Sequence, residues 1–200
     1  MRVIIDLHIH TNSSHDSTIT PIQLLEQMRL AGINAVAITD HDTMEGYRRI
    51  KNSNAFKDML ILPGVEVTTD LGDLIILGLE NPTIMADPFK VVEAARDEGG
   101  FILAPHPFDE RRVSVGEKVS ILNVDAIETV NAKCSNDANR QAREFARALG
   151  LPAVGGSDAH EKSQVGSVVN VLECERSVGS IIEGLRKGPK IVVRGKNAMR

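Results

Sequence analysis

The sequence predicts an α/β fold made of parallel strand–helix units, and three observations carry that prediction. Short β-rich apolar runs alternate along the chain with amphipathic helical patterns. Helix starts and stops fall between the runs: Thr20 and Pro21 open one helix, and Gly32 and Gly150 sit where two end. Five of the six histidines, His8, His10, His41, His106 and His160, stand at or just beyond the C-terminal end of a predicted strand. Parallel α/β folds build their sites there.

The first strand, Val3–Leu7, runs into Asp6-Leu7-His8-Ile9-His10. Alternation places Asp6, His8 and His10 on one face, so two imidazoles can converge on one ion. Asp6, below them, is expected to orient a ring through its other nitrogen. The helix Pro21–Ala31 follows, then the strand Ala35–Thr39, closed by Thr39-Asp40-His41-Asp42. Ala35, Ala37, Thr39 and His41 share a face that suits a narrow interior, while the bulkier Val36 and Ile38 suit packing under helices. Asp42 reads as a cap for the next helix, Thr43–Lys51. In the third strand, Leu60–Val67, Glu66 is the one charge among apolar residues, and a buried carboxylate there must be paired or bound to a cation.

Leu74–Leu79, the helix Pro88–Glu98 and the strand Phe101–Ala104 lead to Ala104-Pro105-His106-Pro107. The prolines restrict this backbone and disfavour helical dihedrals at His106. Ala126–Val130, the helix Asn136–Leu149 and Ala153–Gly155 lead to Gly155-Gly156-Ser157-Asp158-Ala159-His160. Asp158 and His160 again stand two apart, after glycines that allow close backbone approach. The tail adds a strand, Ser167–Leu172, a helix near Ser180–Lys187 and a final strand, Ile191–Arg194. With no linker, repeat or low-complexity segment, residues 1–200 are expected to form a single domain.

Composition narrows the function classes. A net charge of −4 gives a polyanion no long-range attraction, and 3% aromatic content without Trp provides no base-stacking platform. Both count against nucleic acid as a partner. No run is long enough to span a bilayer, and Asp6, His8 and His10 interrupt any leader-like start, so no membrane association and a cytoplasmic location are expected. Cys134 and Cys174 lie far apart and outside any CxxC pattern, which fits two thiols in a reducing compartment. A His/Asp/Glu set without thiolate suits zinc, manganese or iron.

The ordered motifs Asp-Leu-His-Ile-His-Thr, Thr-Asp-His-Asp, Gly-Val-Glu-Val, His-Pro and Gly-Ser-Asp-Ala-His resemble the polymerase and histidinol phosphatase (PHP) family. The likeness spans residues 3 to 160, and Ala104–Phe108 with Ile127-Glu128-Thr129-Val130-Asn131 is most similar to its stand-alone phosphoesterases. The resemblance implies a distorted (β/α)7 barrel with two or three divalent ions (Zn, Mn or Fe) at its C-terminal rim. It implies that His8, His10, Glu66 and Asp158 hold the first ion, that Glu66 bridges to a second with His106, and that Asp16, His41 and His160 hold a third. Glu66, Asp158 and His160 are the residues expected in catalysis. Asp16 rather than its neighbour His15 aligns as the ligand. Where some relatives carry a histidine in or just after the fourth strand, this chain offers Asp73, Ile75 or Glu80.

The function implied is metal-dependent hydrolysis of a phosphomonoester on a small metabolite or nucleotide. Two ions about 4 Å apart can hold a hydroxide between them for in-line attack. Arg111 and Arg112, just past His106-Pro107, are expected at the substrate phosphate, within a specificity loop spanning Phe108–Asn123. Two other readings compete: a phosphodiesterase or nuclease on nucleic-acid ends, and a non-catalytic metal-binding regulatory module. Retention of nearly every ligand position argues against the last.

Overall fold

The computed structural model describes residues 1–194. The alternating apolar runs form nine strands among them: β1 Arg2–Asp6, β2 Ala35–Ile38, β3 Leu60–Val67, β4 Leu74–Leu77, β5 Phe101–Ala104, β6 Ala126–Asn131, β7 Ala153–Gly156, β8 Val168–Glu173 and β9 Lys190–Val193. Six α-helices connect them: α1 Pro21–Leu30, α2 Glu45–Lys51, α3 Pro88–Asp97, α4 Val119–Leu122, α5 Asn136–Leu149 and α6 Val178–Arg186. Local chemistry sets the helix starts. Thr20 and Gln23 close a capping box on α1, and Asp87, Ser135 and Ser177 cap α3, α5 and α6. The cap expected from Asp42 does not form. α2 starts without a side-chain cap, and Asp42 Oδ1 instead accepts the Thr68 N–H at 2.9 Å, tying the end of β2 to the end of β3.

The strands form one sheet in the order β7-β6-β5-β4-β3-β2-β1-β8-β9. Pairing is parallel within β1-β2-β3 and within β5-β6-β7, and antiparallel wherever β4, β8 or β9 takes part. β4 follows β3 after only Thr68–Asp73 and must run antiparallel to it; it is also antiparallel to β5. β8 lies antiparallel to β1, and β9 antiparallel to β8.

The sheet curls until its ends meet, forming a distorted barrel. At the C-terminal rim β1 and β7 extend into contact: Ile9 bridges Ala159, and the His10 N–H donates to the Ala159 carbonyl at 2.9 Å. Lower down, β8 wedges between them. There the Asn170 amide substitutes for a backbone ladder, accepting from Gly155 N–H at 2.9 Å and donating to Gly155 O at 2.6 Å. Seven strands thus close at the rim, and β8 and β9 widen the opposite end.

Two apolar layers hold this shape. Val3, Ile5, Leu7, Ala35, Ala37, Leu62, Ile75, Leu77, Phe101 and Leu103 fill the barrel interior, where Ile181, Ile182 and Leu185 of α6 also pack. Val36, Ile38, Val65, Ile76, Ile102 and Ile127 face outward under the helices. The small alanines of β2 point inward and its larger residues outward, as the size pattern requires.

Candidate metal centre

A break in the pleat of β1 turns its histidines inward. Val3, Ile5 and Leu7 belong to the interior layer, but Ile9 packs in the outer one, so alternation slips by one place between them. His8 and His10 therefore face the interior, and Asp6 does not share their face as alternation predicted. Asp6 accepts backbone N–H groups instead, from His8 (3.3 Å), Ser157 (3.1 Å) and Gly166 (2.8 Å). It pins the slip and joins β1 to the loop after β7; burial pushes its acid up to about 6. The ring-orienting role falls to Glu128 of β6. Its Oε1 lies 3.1 Å from His8 Nδ1, and its Oε2 accepts from the His106 N–H and Asn131 Nδ2, each at 2.9 Å. Gly156 makes room for this contact, since a Cβ there would strike both Glu128 and His8.

Glu66 is the hub of a fully buried cluster. Its Oε2 lies 3.1 Å from His8 Nε2 and 3.1 Å from His10 Nε2, and its Oε1 3.0 Å from His106 Nε2. Asp158 Oδ1 stands 3.7 and 3.6 Å from the same two nitrogens of His8 and His10, and no hydrogen bond among the described residues satisfies it. In the tautomer that donates from Nδ1 to Glu128, His8 Nε2 is left a bare acceptor facing carboxylates. Converging acceptors without protons are a donor set that a cation satisfies. A proton on His8 competes for the same place. Burial alone would depress His8, but Glu66, Asp158 and Glu128 hold its pKa well above the ordinary imidazole value. Burial, together with the neighbouring positive rings, takes His10 down to about 4. Glu66, despite its burial, is held well below the usual carboxylate range by His8, His10 and His106.

Asp16, His41 and His160 form an outer cluster with His10. Asp16 Oδ2 lies 2.9 Å from His160 Nε2 and 3.5 Å from His41 Nε2. His15 reaches no carboxylate among the described residues; its ring faces His41 with centroids 5.6 Å apart. Ser14 Oγ links the two clusters, accepting the His41 N–H at 2.8 Å and lying 3.3 Å from His10 Nδ1.

Two of the converging side chains hang from backbone in the left-handed region, His106 at φ 29° and Asp158 at φ 53°. Neither is a glycine, so the surrounding fold imposes these conformations. For His106 the restraint is visible. Ser114 Oγ donates to the His106 carbonyl at 2.7 Å and lies 3.3 Å from its Nδ1.

The cluster opens to solvent in a cleft of about 480 Å³ edged by Asp16, His41, Asp73, Arg112, Lys133 and His160. A larger hollow of about 590 Å³ past Lys133 contains none of the converging ligands, so the chemistry belongs to the smaller one. The structure separates the two arginines expected at the substrate. Arg112 lines the cleft and pairs with Asp158, whereas Arg111 is clamped to Asp109 by two contacts of 3.0 Å and to the Lys133 carbonyl at 2.6 Å. Sequence reasoning gave no role to Glu128, Asn131 or Lys133. Glu128 carried the same signal as Glu66, a lone carboxylate in an apolar strand. Lys133 Nζ lies 2.5 Å from His160 Nδ1, and burial lowers its pKa.

Comparison with known proteins agrees with this architecture. Residues 6–104 match the PHP domain family and residues 136–189 a PHP-associated family. The Methanocaldococcus jannaschii protein MJ1587 is 32% identical over 138 residues, covering 64% of this chain and 81% of that one. A Haemophilus influenzae 5'-3' exoribonuclease is 31% identical over 65 residues, 32% of this chain and 23% of the nuclease. A two-domain Bacteroides vulgatus protein, described as containing a predicted PHP-like metal-dependent phosphoesterase, superposes with a TM-score of 0.77 at 18% identity. That match covers 97% of this chain but only 65% of the Bacteroides protein, just under two thirds of its length.

Proposed function

The chain belongs to the PHP domain family, and from that premise we propose that it is a metal-dependent phosphoesterase hydrolysing the phosphomonoester of a small metabolite or nucleotide. The observation that carries this reading is the convergence of His8, His10, His106 and Asp158 on Glu66, acceptors gathered at the barrel rim and open to a polar cleft. In this reading residues 1–200 act as one domain. His8, His10, Glu66 and Asp158 hold one divalent ion, Glu66 and His106 share a second, and Asp16, His41 and His160 provide for a third.

When bound there, zinc, manganese or iron would acidify a water toward a pKa of about 7 and would neutralise phosphoryl oxygens. The protein's own groups do the rest. Glu66 sets the spacing of the two inner positions, and Glu128 holds His8 in the tautomer that leaves Nε2 free. Asp158 and His160 face the reacting phosphoryl group from the β7 side. Arg112 takes the outward phosphate oxygen, because a guanidinium meets two acceptors in one plane. Its pairing with Asp158 holds it at the cleft until substrate arrives. Arg111 instead stiffens the loop through Asp109.

A phosphodiester of nucleic acid is the second reading, favoured by the sequence match to the exoribonuclease. Assays of metal-reconstituted protein on sugar phosphates, amino-acid phosphates, nucleotides and 5'-phosphorylated oligonucleotides separate the two. Release of inorganic phosphate that EDTA abolishes and manganese or zinc restores is the expected result. Shortening of oligonucleotides without monoester turnover would favour the second reading. Arg112→Ala should lower kcat/KM by about 10- to 100-fold, the loss of one charge-assisted contact, with the ions still bound. Arg111→Ala should leave turnover nearly unchanged.

A further inference from the structure

We infer that Asp73 completes the second cation position, beside His106 and Glu66, and makes it an oxygen-rich site that discriminates less strongly for zinc over manganese than the first position does. This rests on the reading that the Glu66 centre binds divalent ions. Register places the residue. β4 pairs Ile75 with Glu66 and Leu74 with Val67, and Ile75 and Leu77 point into the barrel. Alternation then turns Asp73 to the same inward face, one step nearer the rim than Ile75.

Asp73 is 7% exposed, and its Oδ1 has no hydrogen-bond partner among the described residues. It lines the cleft with His41 and His106. A buried carboxylate oxygen left without a partner in the field of Glu66 costs the fold repulsion and desolvation, and a cation between the two carboxylates relieves both. The position is also rigid. The Asp73 N–H donates to the Val113 carbonyl at 2.9 Å, and Gly72, at φ 130°, packs against the Ser114–Val115 backbone where no Cβ would fit.

The other two acceptor positions that the sequence left open do not serve. Ile75 has no donor atom and lies in the interior apolar layer. Glu80 is engaged with Tyr47 Oη at 3.1 Å and with Lys51. The two inner positions therefore differ in chemistry. The first has two imidazoles and two carboxylates, the second one imidazole and two carboxylates. Carboxylate-rich sets suit manganese, and added imidazole shifts preference toward zinc.

The test is metal stoichiometry by elemental analysis, with manganese and zinc titrations of the chelator-treated wild type, Asp73→Asn and Asp73→His, each checked for folding by circular dichroism. Wild type should bind one manganese ion more tightly than Asp73→Asn by at least about 10-fold, while the remaining ions bind equally. Asp73→His should regain that ion and bind zinc there with a larger margin over manganese than wild type does. Equal stoichiometry and affinity in wild type and Asp73→Asn would overturn the assignment. Should Asp73→Asn not fold, an Asp73→His protein with the wild-type ratio of manganese to zinc affinity would overturn it as well. A wild type that binds no divalent ion would instead sink the reading on which the inference rests.

Discussion

The inner and outer halves of the centre are built in different ways. His8, His10, Glu66, His106 and Asp158 are buried, and all but one stand on strands or their immediate extensions at the point where the barrel closes. Four of them are held from behind: His8 by Glu128, His10 by Ser14, His106 by Ser114 and Asp158 by Asn131. Asp16, His41 and His160 sit on loops at the rim, with side chains 37%, 20% and 15% exposed. The same residue types thus serve two purposes. The inner set is preorganised and stays fixed, whereas the outer set can admit solvent, substrate and an exchangeable ion.

The comparison is broken most severely at Glu66. Glu66→Gln should lose both inner ions and lower kcat/KM by roughly 10³-fold or more, the several kcal/mol that metal activation supplies. His10→Ala should cost less, since it leaves in place the carboxylate shared by the two inner positions. Full metal content and near-normal turnover in Glu66→Gln would show that it does not bridge. The support behind the inner set comes next. Glu128→Gln should weaken metal affinity about 10- to 100-fold, as loss of a histidine's orienting carboxylate does, while the melting temperature shows the fold intact. An unchanged titration would mean that His8 is oriented by packing alone.

Much of this centre could be read from the chain, and the reasons for the failures are specific. Histidine at strand ends, a carboxylate alone among apolar residues and paired glycines before Asp158 all report local chemistry, which sequence displays. Asp6 was misplaced because strict alternation was extended through Leu7, where the closing contact between Ile9 and Ala159 forces a slip. Asp42 looked like a helix cap because nothing local shows that the Thr68 N–H lies within its reach. Glu128 and Asn170 act across the barrel, on His8 and Gly155, and such partners appear only once the sheet curls. The antiparallel β4 was hidden for a similar reason, since only the shortness of Thr68–Asp73 announced it.

The outer half should respond more mildly. Asp16→Ala should release one ion and leave the inner two, whereas His15→Ala should leave the metal count unchanged; the reverse would shift the assignment by one residue. The smallest effect expected is a pH dependence. His8, held above its ordinary value of 6.5, stabilises the metal-free fold fully below that value, and the contribution is lost as pH rises through the raised one. An ion displaces that proton, so it binds better as pH rises. The gain in Tm on adding manganese should therefore grow from about pH 6 to about pH 8, toward the ~4 kcal/mol expected at a thousandfold excess over Kd. A gain that shrinks over that range would place the proton elsewhere.

The central claim is that Glu66 joins two divalent ions inside the rim, and anomalous diffraction tests it most directly. Crystals grown with manganese and measured at the manganese edge should show two peaks about 4 Å apart, one on each side of the Glu66 carboxylate. The first should lie among His8, His10 and Asp158, and the second beside His106. Peaks confined to Asp16, His41 and His160, or no peak at Glu66, would contradict the account.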